Sequence, residues 1–438
     1  MKRHDSTPHA TGVTRRQFVK ASAAAVAGAM LTREMLAPAA YAAGSDTLKV
    51  GLIGCGGRGT GAAKEALAAD PGAVLTAMGD VFNDRLQNSL QTLKEAQPER
   101  VQVDPDRQFV GFDAYQKVID SGVDVVLLAA PPHFRPAHLK AAVLAGKHVF
   151  CEKPMAVDAP GVRSILASAE EASKRNLSLL AGFCWRYSDA ERATFQRIID
   201  GALGRIVSAH TAYHASPLQQ FPRQPGWTDM EWQLRNWFHF TWLSGDHIVE
   251  QACHSIDKIA WALGGRLPVK ATALGGRQAR SGAESGNVYD HFSVIYEYDD
   301  GLRCFHTCRQ MADCPFDNTD YFVGTEAVCR IDGWKPRHEI RSHAGELKWS
   351  YDGQRRDMYQ NEHDALFAAI RSGRPINDGQ WMAHSTLMAI MGRMAAYTGQ
   401  TITWEQALNS EEKLGPPTYD FGDLPVEPVA VPGQTKFV

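Results

Sequence analysis

Leu48–Ile53 reads LKVGLI, and Gly54-Cys55-Gly56-Gly57-Arg58-Gly59 follows at once. The apolar run suits a strand buried on both faces of a parallel sheet. The glycines fall as G-x-G-x-x-G, and the alanine-rich stretch 60–69 after them predicts a helix. In that setting Gly54 permits the tight turn, Gly56 lets a pyrophosphate approach the backbone, and Gly59 allows close helix–strand packing. The helix N-terminus offers amide donors and the positive dipole end to phosphates. Gly57 and Arg58 lie inside the same loop. A second strand, 73–78, leads to Asp80, 21 residues beyond Gly59. An acid at that distance binds the adenosine ribose hydroxyls, which favours NAD. Arg58 and Arg85 could cradle a 2′-phosphate, so NADP stays open.

Working outward, helix and strand alternate. Helices are expected at 113–122, 136–145 and 159–174, and strands at 123–129, 147–151 and 177–183. Such alternation gives a doubly wound parallel sheet with helices on both faces. Ligands bind such sheets beyond the carboxyl ends of the strands. Two strand ends there, Pro131-Pro132-His133 and Glu152-Lys153-Pro154, make Pro131, His133, Glu152 and Lys153 candidate cofactor contacts. Held near a nicotinamide, the Lys153 ammonium can bond a reacting hydroxyl and steady a developing oxyanion. Its bland alternative is a surface ammonium paired with Glu152.

The second half changes rhythm. Polar and apolar residues alternate from Gly204, and again at 269–274, 291–298, 302–309 and 321–331. This predicts a large, mainly antiparallel sheet with unlike faces. Asp299-Asp300-Gly301 marks a hairpin. Helices are expected at 361–372 and 379–397. The segment 416–438, with five prolines and two glycines, is expected to wrap the surface without regular structure. If 245–258 is one helix, Asp246, Glu250, His254 and Asp257 share a face. A carboxylate one turn from an imidazole can fix its tautomer. Trp227, Trp232, Trp237 and Trp242 fall within sixteen residues and could stack on sugar faces. Packing of a loop against the sheet accounts for them equally well. Tyr213 and His214 end an early strand and are candidates to line the same cleft.

The first residues read as an address. Thr14-Arg15-Arg16-Gln17-Phe18-Val19-Lys20 is a twin-arginine export pattern. The apolar stretch 21–31 is shorter than the roughly 20 residues a spanning helix needs. Ala40-Tyr41-Ala42 fits a cleavage site, so residues 1–42 are expected to be a signal peptide and the mature protein periplasmic or otherwise exported. That route carries folded proteins through the twin-arginine machinery, and no free nicotinamide pool awaits outside. A nicotinamide cofactor would then be tightly bound and recycled in place.

With 438 residues, 46 basic against 49 acidic and a net charge of −3, the chain has no basic excess for nucleic acid. Eight cysteines are too few for a disulfide scaffold. Cys304, Cys308 and Cys314 lack a Cys-x-x-Cys rhythm, and adjacent Asp246 and His247 would diverge on a helix. No metal is expected.

The glycine loop, the Pro131-Pro132-His133 strand end, Cys151-Glu152-Lys153-Pro154 and the His254 segment resemble the glucose–fructose oxidoreductase, inositol dehydrogenase and rhizopine catabolism (Gfo/Idh/MocA) family. The similarity runs from Leu48 to Trp404. It implies an NAD(P)-binding Rossmann domain, 46–184, and an α/β domain, 185–438, that binds substrate and joins copies through an open sheet. It implies a catalytic set of Lys153, His254 as general base and Glu250. Glu250 stands where the family pattern has an aspartate. Arg186 resembles the family's domain-junction arginine, and with Tyr213, Trp237 and Asp246 it is a candidate substrate contact. The expected activity is oxidation of a sugar, polyol or sugar derivative by hydride transfer. The alternatives are a redox-neutral glycosidase or lyase working through a 3-keto intermediate and a non-catalytic nicotinamide sensor.

Overall fold

The computed structural model describes residues 46–438. The expected signal peptide lies outside the described residues. The first sheet holds β1 (Leu48–Ile53), β2 (Ala73–Asp80), β3 (Gln108–Val110), β4 (Val125–Leu128), β5 (His148–Glu152) and β6 (Leu179–Gly182). Its order is β3-β2-β1-β4-β5-β6, and every pairing is parallel. This is the doubly wound architecture expected. Its strands β4 and β6 are buried throughout, because helices cover both faces. The edge strand β3 and the helix Asn83–Ala96 went unforeseen: one is three residues long and the other carries few apolar side chains.

The second sheet has nine strands: β7 (Ile206–Ala215), β8 (Lys270–Gly276), β9 (His291–Glu297), β10 (Arg303–Gln310), β11 (Thr319–Gly324), β12 (Ala327–Asp332), β13 (Arg337–Ser342), β14 (Leu347–Ser350) and β15 (Ile402–Thr403). Their order is β14-β13-β12-β11-β7-β10-β9-β8-β15. Only β7 and β10 pair in parallel, so the sheet is mainly antiparallel as expected. One face of β9 and β10 is buried at every second residue. The stretch 321–331, expected as one strand, is the hairpin β11–β12, broken at Thr325-Glu326. The 299–301 turn does join β9 to β10. No regular element follows Asn409, and the proline-rich end lies along the surface.

The helix Cys253–Ala262 lies between the sheets and is buried almost all round. Its Lys258 is fully enclosed, 2.8 Å from Asp320 on β11 and 3.0 Å from Glu191. Removing one partner of such a group strands a charge, at a cost of about 3–5 kcal/mol. The triad therefore ties this helix to the second sheet and fixes what the helix presents at its other end.

Candidate functional site

The glycine loop is the first turn of a helix, Gly57–Ala69, which starts three residues earlier than the sequence suggests. Gly54 has φ +95°, and a Cβ there would meet the Ala130 backbone. A Cβ on Gly59 would collide with the Gly54 carbonyl oxygen, so helix and strand touch. In front of Gly56 and Gly57, by contrast, space is open. This is the cradle a pyrophosphate needs.

The loop forms one wall of a cavity of about 670 Å³. Gly54, Gly56, Gly57, Arg58, Gly59, Asp80, Arg85 and Pro131, candidates for cofactor contact, all line it. The Asp80 carboxylate accepts from the backbone N–H of Cys55 (2.7 Å) and of Phe82 (2.9 Å), which fixes its orientation. Burial pushes its pKa up, against those two hydrogen bonds. Arg85 has its guanidinium 5.3 Å from the Phe82 ring centre. Arg58 differs: it pairs with Glu152, with Glu65 at 2.8 Å and with Glu362 at 3.0 Å. Three carboxylates hold it in place, so it is not free to cradle a 2′-phosphate.

Two expected cofactor contacts are corrected. Glu152 is buried beneath the loop, pairs with Arg58 and accepts from the Lys153 N–H, rather than facing the cavity. His133 turns away to Tyr419, with Nε2 and the hydroxyl 2.7 Å apart, and packs edge-on against Trp242. Its pKa is lowered to about 4 by burial.

The other side of the cavity was missed. Phe82, Phe112, Tyr115 and Phe134 line it, as do Phe221, Leu234, Arg235, Trp237 and Phe238 from the segment after β7. Trp237 stacks on Phe238, ring centres 3.7 Å apart. Trp237, a candidate substrate contact, lines the same cavity as the glycine loop. The other tryptophans pack with Phe82, Phe240 and Leu243 as a small apolar cluster. The segment is pinned by Arg235, whose guanidinium is 3.0 Å from Asp84 and stacks 4.0 Å over Phe82.

Lys153 leaves β5 beside the exit of β4 into the cavity, since Cys151 pairs with Leu128. Its ammonium donates to the Glu250 main-chain oxygen and lies 3.0 Å from Glu250 Oε1. It pairs with Glu250, not with Glu152. Burial works against its charge, but Glu250, Cys253 and Glu152 outweigh this and its pKa is raised. Tyr213 is close enough to Lys153, Glu250 and Cys253 to feel their charges. Burial is the main reason its pKa rises to about 12. His254 is buried against Phe183, with Nδ1 enclosed and unpartnered. Burial, then Lys153 and Lys258, hold its pKa well below 6.5, so the imidazole is neutral. The structure thus brings together Lys153, Glu250, His254 and Tyr213.

The single helix over 245–258 is corrected. Gly245 and Asp246 have φ of +76° and +74°, and short turns at Thr241–Ser244 and His247–Glu250 precede Cys253–Ala262. The shared face is therefore broken, and Glu250 binds Lys153 rather than His254. Asp246 is fully buried, accepting from Tyr289 N–H at 2.7 Å and from Tyr397 and His247. Burial lifts its pKa to about 6 against those bonds. It holds the turn and is not a substrate contact. Arg186 is likewise committed: it makes a two-pronged pair with Asp257, both bonds 2.8 Å, between Trp261 and Trp381.

Comparison with known proteins agrees with this geometry. The family described as "Oxidoreductase family, NAD-binding Rossmann fold" matches residues 48–179, and the GFO/IDH/MocA C-terminal domain matches 192–330. Inositol 2-dehydrogenase 4 of Saccharopolyspora erythraea is 30% identical over 64% of this chain and 71% of its own length. The trans-1,2-dihydrobenzene-1,2-diol dehydrogenase of Mus musculus is 26% identical over 51% of this chain, and the chain spans 60% of that relative. The solved aldose-aldose oxidoreductase of Caulobacter crescentus superposes with a TM-score of 0.64 at 20% identity, covering 82% of this chain and 99% of that one.

Proposed function

This chain belongs to the Gfo/Idh/MocA oxidoreductase family, and we propose that it oxidises a sugar or polyol by hydride transfer to NAD. The observation that carries the proposal is the convergence of Lys153, Glu250, His254 and Tyr213 where β5 ends, in a chain whose glycine loop leaves open space in front of Gly56 and Gly57. Inositol dehydrogenases among the relatives support a polyhydroxylated substrate.

Bound NAD supplies the acceptor for a hydride leaving the substrate carbon. Gly56 and Gly57 leave room for its pyrophosphate, and Asp80 stands where the ribose hydroxyls would be met. Lys153 donates to the reacting oxygen, held in place by the Glu250 carbonyl and carboxylate. The neutral His254 takes the hydroxyl proton as the carbonyl forms. Tyr213 and Lys153 bracket the oxygen from the second sheet and the first.

We further propose that the nucleotide is retained and recycled. Phe221, Trp237 and Phe238 would cover it from the substrate-side half of the chain. Export through the twin-arginine route suits a protein loaded before crossing, and copies would join through the outer face of the nine-stranded sheet, where Leu274 and Tyr321 are exposed. A redox-neutral glycosidase is the second outcome to test.

The test is to purify the protein from its exported state, read the nicotinamide absorbance, and add D-glucose, myo-inositol and aryl glycosides in turn. A sugar that reduces the bound nucleotide supports oxidation. Phenol release without net reduction would replace that reading with cleavage. A protein carrying no nucleotide, yet active with added NAD, would overturn retention.

A further inference from the structure

A chain of buried polar side chains runs from the segment after β7 to the turn that carries Glu250. Its hub is Arg280, in the connection between β8 and β9, a guanidinium with donors only. Arg280 bonds His239 Nδ1 at 2.9 Å, so that nitrogen must accept. The His239 proton is then on Nε2, which lies 3.1 Å from the Gln219 carbonyl oxygen and donates to it. Arg280 also donates to Gln310 Oε1. That fixes the other amide: Gln310 must turn Nε2 toward Gln251, and it donates to Gln251 Oε1 at 2.6 Å. An amide's two ends are told apart only by their partners, and here every partner is determined.

The consequence falls on Gln251. Its oxygen is used inward, so its NH2 group is directed away from Gln310 and makes no hydrogen bond among the described residues. The residue is half-buried, whereas the members of the chain behind it, Gln310, Arg280 and His239, are all buried. It follows directly on Glu250, whose carbonyl holds the Lys153 ammonium. Across the sheet, Gln310 lies two residues beyond Cys308, the residue that pairs with Tyr213, so Gln310 and Tyr213 share one face.

We propose that Gln251 is a specificity-determining residue: a donor locked by Gln310 and Arg280 that hydrogen-bonds an oxygen of the substrate close to the reacting carbon. The proposal rests on the oxidoreductase reading above and adds the chemical demand on the substrate. It must offer an acceptor there, a hydroxyl, ring or carbonyl oxygen, and an analogue lacking it leaves that N–H donor unmatched. Gln310 is a positioning residue, acting through Gln251.

The test uses the nucleotide-loaded full chain with D-glucose, myo-inositol and each monodeoxyglucose. In Gln251→Leu and Gln251→Glu, KM should rise about tenfold with kcat changed little, the loss of one such hydrogen bond. One deoxy sugar should show a similar loss in the wild type and no further loss in Gln251→Leu. Gln310→Glu, which accepts from both neighbours and so turns the Gln251 oxygen outward, should raise KM in the same way at unchanged Tm. Wild-type KM in both Gln251 variants overturns the proposal, as does a Gln310→Glu protein that loses Tm and kcat while keeping KM. If Lys153→Ala is inert while Gln251→Leu matches wild type, this inference fails alone. If no sugar binds or changes the bound nucleotide of the wild type, both fail.

Discussion

Lys153 Nζ lies 3.0 Å from Glu250 Oε1 and donates to the main-chain oxygen of the same residue. One residue of the second half of the chain therefore holds the key cation of the first half twice. The carboxylate also keeps the ammonium charged despite burial. Lys153→Met should lower kcat by roughly a hundredfold to a thousandfold while the purified protein keeps its nucleotide. Glu250→Gln removes the largest influence raising the Lys153 pKa and leaves burial, which lowers it. The alkaline limb of its pH–rate profile should then fall at lower pH than in the wild type. An unchanged alkaline limb would separate Lys153 from the reaction.

His254 gives the acid side. Its pKa is depressed, so the neutral form persists as pH falls through 6.5. A proton acceptor with that behaviour keeps kcat level across that value, and activity is lost only well below it. The same shift acts on stability. The folded state prefers the neutral imidazole, so its contribution is present above the unfolded pKa and lost as pH falls below it. A kcat profile that breaks near 6.5 and is insensitive to His254→Gln would remove His254 as the base.

Arg186 separates structure from substrate contact. Its two bonds to Asp257, with Ser385 also donating to that carboxylate, anchor the helix that carries His254. Arg186→Met leaves the Asp257 carboxylate without its cation in a nearly closed site. It should cost about 3 kcal/mol in unfolding free energy and move KM little. Chemical denaturation and steady-state kinetics on one preparation check both. A large KM effect at unchanged stability would restore the substrate role.

The dinucleotide half was legible because its signals are local. Gly54, Gly56, Gly59 and Asp80 act through spacing along one βαβ unit, and burial makes β4 and β6 read as unbroken apolar runs. That Lys153 and His254 come near one another was legible through their motifs. What the sequence hid depends on contacts between distant segments. Arg58 lies inside the loop, but its three carboxylates come from Glu65, Glu152 and Glu362. The helical spacing of Asp246, Glu250 and His254 gave no warning of the positive φ at Asp246, a non-glycine residue held there by Tyr289 and Tyr397. Trp237 was legible as an aromatic candidate, but nothing in its neighbourhood says which elements the segment folds over.

On the proposed reading, Asp80 sets the choice of nucleotide. Its carboxylate is fixed by two backbone N–H groups at the cavity edge, where a 2′-phosphate would meet like charge. Arg85 is the cation left there, since Arg58 is committed to its carboxylates. Asp80→Ser should therefore weaken NAD and strengthen NADP, shifting the ratio of their Kd values by roughly tenfold to a hundredfold, about 1.4 kcal/mol per tenfold. Adding Arg85→Ala should cancel the gain for NADP alone. Titration of nucleotide-free protein with each dinucleotide decides it, and a ratio unmoved by Asp80→Ser would place the adenosine ribose elsewhere.

The proposed retention of the nucleotide would depend on the segment after β7. Phe221, Trp237 and Phe238 line the cavity opposite the glycine loop, and Arg235 fastens the segment to Asp84 and to the Phe82 ring. On that proposal, release would require the segment to lift, breaking the Arg235 contacts together with those of the tail. There Phe421 sits 6.0 Å from Phe82, and the Leu424 carbonyl accepts from Gln233 at 2.7 Å. Trp237→Ala with Phe238→Ala removes the ring surface facing the nucleotide. Loss of aromatic stacking on one base is worth about 1–3 kcal/mol, so dissociation should speed up roughly tenfold to a hundredfold. Arg235→Ala should speed it too, though it leaves both rings in place, because it unfastens the segment. Stopped-flow displacement of bound NADH, followed by its fluorescence, measures the rate. Dissociation as slow as in the wild type for both variants would show that the segment does not hold the cofactor.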